Sequence, residues 1–177
     1  MAMPMATAAT STDGRGCRLR FVKRASGKYD SLELHRPDGV VERLENPKQG
    51  IAPHDMVHVL VEQSLGMTQG FIGMVVSGLP MAMTDQPRER EQAGLYGLEA
   101  KQSECLVECV QAALWDSTPV VPEDFREQLR VTCAMRGVPA PDVDDAAVLR
   151  LVDRVRQASR QWQALVPGEA MEFMLSA

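Results

Sequence analysis

Residues 18–46 read RLRFVKRASGKYDSLELHRPDGVVERLEN, and the period of their side chains decides the fold class. Basic and apolar residues alternate over Arg18, Leu19, Arg20 and Phe21, the mark of a strand with one buried face. Ser26-Gly27-Lys28 turns the chain. A second alternation puts Leu32 and Leu34 on one face and Glu33 and His35 on the other. Pro37-Asp38-Gly39 is a turn with a mechanism, since proline presets φ and glycine accepts positive φ. Residues 40–45 return as Val-Val-Glu-Arg-Leu-Glu. The spacing therefore predicts a three-stranded antiparallel meander over 18–46, apolar on one face and charged on the other.

Beyond Gly50 the period becomes helical. Pro53 near the start and Gly66 just past the end bound a helix of about 12 residues. A short apolar helix follows from Gly70 to Ser77, then a proline-containing loop over 79–90. A long helix is expected over 91–115. Leu95, Leu98, Cys105, Leu106, Cys109, Val110, Ala113 and Leu114 give it an apolar arc wider than half its circumference, so it should be central. Pro122 opens a helix over 122–136, and Asp142 or Asp144 caps the last one, over 142–165. Its seam of Val148, Leu151, Val155, Ala158, Trp162 and Leu165 suits core packing, or pairing with a second copy as a homo-oligomer. Glu172-Phe-Met-Leu175 reads as a closing strand, over 171–175, that can join the meander. The expected protein is one α+β domain over 18–177: a meander over 18–46, a helical part of four to five helices over 51–165, and the closing strand. Residues 1–17, small and polar with little apolar surface to offset ordering entropy, are expected as a disordered tail.

Composition excludes several classes. The chain has 177 residues, 45% hydrophobic and 24% charged, which disfavours a wholly disordered protein. Net charge is −5, which disfavours coating nucleic acid. The N-terminus lacks the basic and apolar regions of a signal peptide. Gln63 to Thr84 carries no charge, but Gly66, Gly70, Gly73, Gly78 and Pro80 interrupt it, whereas a spanning helix wants about 20 predominantly apolar residues. No membrane span is expected. The four cysteines contain no CxxC pair, so they read as reduced thiols of a cytoplasmic protein, with Cys105 and Cys109 packing on the apolar arc. Arg150, Arg154, Arg156 and Arg160 read as the solvated face of the last helix. The charge is unevenly spread. Residues 18–50 carry eight basic and five acidic groups, and residues 51–115 three basic and eight acidic.

That acidic segment holds the one constellation with chemistry. In Pro53-His54-Asp55-Met56-Val57-His58-Val59-Leu60-Val61-Glu62, the four ionisable side chains fall within an arc of about 100° on the helix. Either the stripe is a solvated polar face, or it holds a divalent metal such as zinc. Histidines at i and i+4 point the same way and can grip one ion. Positions 54 and 62 lie about 12 Å apart along the axis, too far to share it. The candidate ligands are therefore His54 with His58, or His58 with Glu62, completed from Glu104 or Glu108 on the long helix, with His35 a weaker donor. When His54 and His58 bind, Glu62 is free to orient His58.

His54-Asp55-Met56-Val57-His58 resembles the HExxH signature of zinc metallopeptidases, with Asp for Glu. The resemblance implies His54 and His58 as zinc ligands, Glu104 or Glu108 as a third ligand in the manner of gluzincins, and Asp55 as the catalytic residue acting on water. Asp55 is one methylene shorter than the glutamate it replaces. The longer string Pro-His-Asp-x-x-His-x-x-x-Glu-x-x-Leu-Gly (53–66), followed by Gly-Phe-x-Gly (70–73), is similar to an uncharacterised family of small bacterial proteins. That similarity implies a bacterial, cytoplasmic protein and brings no activity with it. Two functions are thus expected: a non-enzymatic binding or assembly protein first, and a divalent-metal-dependent hydrolase as the alternative.

Overall fold

In the computed structural model, strands β1 (Gly16–Val22), β2 (Tyr29–His35) and β3 (Val41–Pro47) form the expected meander, and β4 (Ala170–Ser176) closes the sheet. The structure describes residues 16–83, 91, 94–116 and 118–176. The strand order is β3-β2-β1-β4, and every neighbouring pair is antiparallel. Leu19 stands opposite both Leu34 and Phe173. One face of the sheet is therefore apolar, with Cys17, Leu19, Phe21, Leu32, Leu34 and Leu175 buried. The other face carries ion pairs across strands, Arg20 with Glu33 and Glu172, and Arg43 with Glu33.

Among the described residues, the helical part lies over the apolar face as α1 (His54–Leu65), α2 (Phe71–Val76), α3 (Leu98–Trp115), α4 (Pro122–Met135) and α5 (Asp145–Ala164), with a 3-10 turn at Met81–Met83. The fold is α+β, as the periods required. Its core is contiguous from the sheet through α1 and α3 to α5. Trp162 on α5 meets Phe21 on β1 edge-on, with ring centroids 6.5 Å apart. The α5 seam packs inside the monomer: Val148, Leu151, Val155, Ala158 and Trp162 are all buried. Asp144 caps this helix by accepting from the Ala147 amide at 2.6 Å.

Three expectations shift. The sheet begins at Gly16, so Gly16 and Cys17 belong to β1 and not to a tail, while residues 1–15 lie outside the described ones. The long helix starts at Leu98, not near 91. Gly94 at φ 71° and the extended Gly97 keep residues 94–97 out of helical geometry. The expected loop over 79–90 contains the 3-10 turn, and its residues 84–90 lie outside the described ones.

The central position of α3 is as expected, since it packs against α1, α4 and α5. Its end is tied down by Arg156 of α5, whose guanidinium donates to the carbonyls of Ala113, Asp116 and Thr118. Arg154 likewise reaches Ser64 and Gln63 on α1, so part of the arginine stripe is structural. All four cysteines are free and buried. Among the described residues, no helix is long and apolar enough to cross a membrane.

Candidate metal centre

Helix α1 is built to bury its polar stripe. Pro53 sits at its N-cap, so His54 is the first helical residue and His58 lies one turn deeper. Gly66, at φ 65°, closes the helix, and the Met67 amide donates to the Glu62 carbonyl at 2.9 Å, a Schellman-type end. The polar stripe is shut off from water at His58 and Glu62 and only half-buried at His54 and Asp55. It faces α3, which runs antiparallel: His54 meets Gln111 and Glu104, His58 meets Glu104 and Ser103, and Glu62 meets Ser103. His58 and Glu62 are each 1% exposed.

His54, His58 and Glu104 each offer one ligand atom, and these atoms lie within 4.8 Å of one another. Glu104 Oε2 stands 3.5 Å from His58 Nε2 and 3.9 Å from His54 Nε2. Ligand atoms about 2.0–2.2 Å from a tetrahedral zinc ion sit roughly 3.4 Å apart, so the separations to Glu104 need little adjustment. His58 Nε2 is buried and has no hydrogen-bond partner. A 3.5 Å separation is too long to supply one.

The opposite ring nitrogens are fixed. An amide oxygen only accepts, so His54 Nδ1 must donate to Gln111 Oε1, 3.1 Å away. Ser103 Oγ donates to Glu62 Oε1 at 2.7 Å, and His58 Nδ1 lies 3.1 Å from that hydroxyl oxygen and 3.2 Å from Glu62 Oε1. Nδ1 therefore carries the proton on both rings, and both Nε2 atoms are aimed at Glu104. Glu62 Oε2 accepts from the backbone amides of Ile72 at 2.8 Å and Gly73 at 3.2 Å. The carboxylate thus meets four donors. Phe71 closes over His58, with ring centroids 4.8 Å apart.

The electrostatics agree with this geometry. Burial alone would push the His58 imidazolium down, but the carboxylates of Glu104 and Glu62 outweigh it and hold the pKa up to about 9. The site is closed on the His58 side and open on the other: the His54 side chain is 43% exposed and that of Glu104 19%.

The remaining candidates part company here. Glu62 is not in the converging group and faces the other ring nitrogen of His58, with Oε1 3.2 Å from Nδ1. Glu108 is engaged by Arg136 at 2.8 Å, and of the two glutamates only Glu104 is in the converging group. His35 pairs with Glu33 at 3.2 Å on the sheet's charged face, away from the helices. Asp55 stands half-buried in the first turn of α1 and is not in the group of three. The residues that the sequence reading did not select are Ser103 and Gln111. Gln111 had a signal, lying two turns from Glu104 on the same face. Ser103 had none. Two clefts lie nearby. The larger, about 700 Å³, is lined by Thr68, Met74, Leu79, Leu95 and Leu98, and the other, about 480 Å³, reaches the back of Glu62. None of the three converging residues lines either one.

Comparison with known proteins finds no matching family model, no similar curated protein and no similar solved structure.

Proposed function

We propose that this protein binds one divalent transition-metal ion, of which zinc is the type, through His54 Nε2, His58 Nε2 and a Glu104 carboxylate oxygen. The reading is carried by one observation. Three potential ligand atoms from two helices lie within 4.8 Å of one another, and one of them is a buried imidazole nitrogen without a hydrogen bond. Two imidazoles with one carboxylate suit zinc and its first-row neighbours, whereas magnesium and calcium prefer all-oxygen sites. Ligand histidines that give their second nitrogen to a carboxylate or amide oxygen are the usual support for such a centre.

With three protein ligands a tetrahedral ion would keep one further position, and the exposed side of the group is the one beside His54. A hydrolase would also need a base. Asp55 is not in the group, and the oxygens of Glu62 are taken by four donors. The reading is therefore of a binding protein first, with hydrolysis the alternative.

The test is metal content. Purified protein loaded with excess zinc and then dialysed against metal-free buffer should hold one equivalent per chain. His58→Ala and Glu104→Ala should each bind more weakly, by more than the roughly 10- to 100-fold that loss of an outer partner alone costs. Equal zinc content in wild type and His58→Ala removes the proposal.

A further inference from the structure

Resting on that metal reading, we infer that Glu62 and the segment Gly70–Gly73 form a carboxylate clamp whose task is to position His58 for the metal, making Glu62 and Gly70 positioning residues of the centre. The segment is remote from the ligands in sequence, yet its contacts converge on one ring. Ile72 and Gly73 give their amides to Glu62 Oε2, and Phe71 covers the His58 imidazole. Glu62 Oε1 in turn faces His58 Nδ1 at 3.2 Å.

The two glycines are there for space. A Cβ at position 70 would lie 2.5 Å from Glu62 Cδ, so any side chain there displaces the carboxylate. A Cβ at position 73 would overlap the Thr68 backbone carbonyl, so glycine there lets residues 68–73 fold back tightly enough to present both amides. The carboxylate is thus fixed from the backbone side and has one direction left in which to act, along Oε1 toward His58 and Ser103. A structural ion pair would not require this. Burying a carboxylate and an imidazole together is weakly stabilising at best, and an apolar pair packs as well. What the clamp adds is a ring held in one tautomer and one orientation, with Nε2 directed at Glu104.

Cobalt(II) is the probe, because its visible absorption reports ligand geometry. Glu62→Gln keeps the side chain's size but loses its charge, and Gly70→Ala pushes the carboxylate from the other side. Both should raise the cobalt dissociation constant 10- to 100-fold, the usual effect of losing a ligand's hydrogen-bonding partner, and both should alter the absorption bands. Leu129→Ala, in the core on α4, should lower the melting temperature while leaving affinity and spectrum unchanged. If Gly70→Ala fails to fold, Glu62→Gln decides alone. Wild-type affinity and spectrum in Glu62→Gln overturn the clamp and leave the metal centre standing. A wild-type protein that takes up no cobalt or zinc overturns both.

Discussion

Ser103 Oγ donates to Glu62 Oε1 at 2.7 Å while its own oxygen lies 3.1 Å from His58 Nδ1, so one hydroxyl on α3 ties together the two buried ionisable residues of α1. All three are within the protein interior. A buried polar group left unpaired costs its full desolvation, and in this network the one atom so left is His58 Nε2. The network joins the architecture to the site: α1 and α3 pack through their polar stripes as well as their apolar arcs.

Removing one member of the pair should therefore hurt more than removing both. Glu62→Leu leaves an imidazolium in the core and is expected to cost the metal-free protein about 3–5 kcal/mol. The double variant His58→Leu with Glu62→Leu should be less destabilised than the sum of the two single changes. Denaturant unfolding of the four proteins gives the coupling energy directly. Strict additivity would show that the two side chains do not act as a pair.

The pH dependence follows from the same residue. The folded-state pKa of His58 is raised to about 9 from an ordinary value of 6.5. Its contribution to the stability of the metal-free protein is then complete below pH 6.5 and is lost as pH rises through about 9. Melting temperature in the presence of a chelator should fall across that window for the wild type. The slope should be largely absent in the His58→Leu, Glu62→Leu double variant. With zinc present the trend should weaken, since the metal needs the neutral ring and gains from higher pH.

Gly73 gives a prediction about the fold alone. A methyl group there must displace the Thr68 backbone, which cannot rotate away as a side chain would. Gly73→Ala is expected to cost about 1–3 kcal/mol, the range of overpacking. Gly50→Ala, where an added Cβ meets nothing within 4 Å, should be nearly neutral in the same thermal melts. A neutral Gly73→Ala would show that the 68–73 turn relaxes without strain.

How far the sequence shows this depends on whether a feature is local. Strand alternation at 18–21 and 30–35 is local, and so are the ends of α1, since Pro53 and Gly66 act within one turn. These were legible. The direction of the His54–Glu62 stripe was not, because a helical period gives angles between side chains and not the identity of the neighbour. Glu104 and Glu108 show why. They share a face of α3, and only Arg136, brought from the end of α4, takes Glu108 away. The role of Gly70–Gly73 was hidden for the same reason. Its glycines answer to Glu62 and Thr68 across a turn, a constraint that appears only once the chain has folded back.

The thiols offer a last check that is independent of any metal. Cys105, Cys109 and Cys133 are all fully buried between α3 and α4, and Cys17 is buried in the sheet. Burial pushes the Cys109 thiol up to about 11 and that of Cys133 up to about 12, with Thr132 only partly offsetting the effect at Cys109. Burial raises Cys17 as well. The thiolate is the reactive form, so neither exposure nor ionisation favours reaction in the folded state. A disulfide reagent at neutral pH should label far less than one thiol per native chain, and all four after unfolding in denaturant. Labelling rates should track the unfolding equilibrium, since access requires opening of the helical layer. Rapid labelling of two or more thiols in the native protein would contradict the packing of α3 on α4.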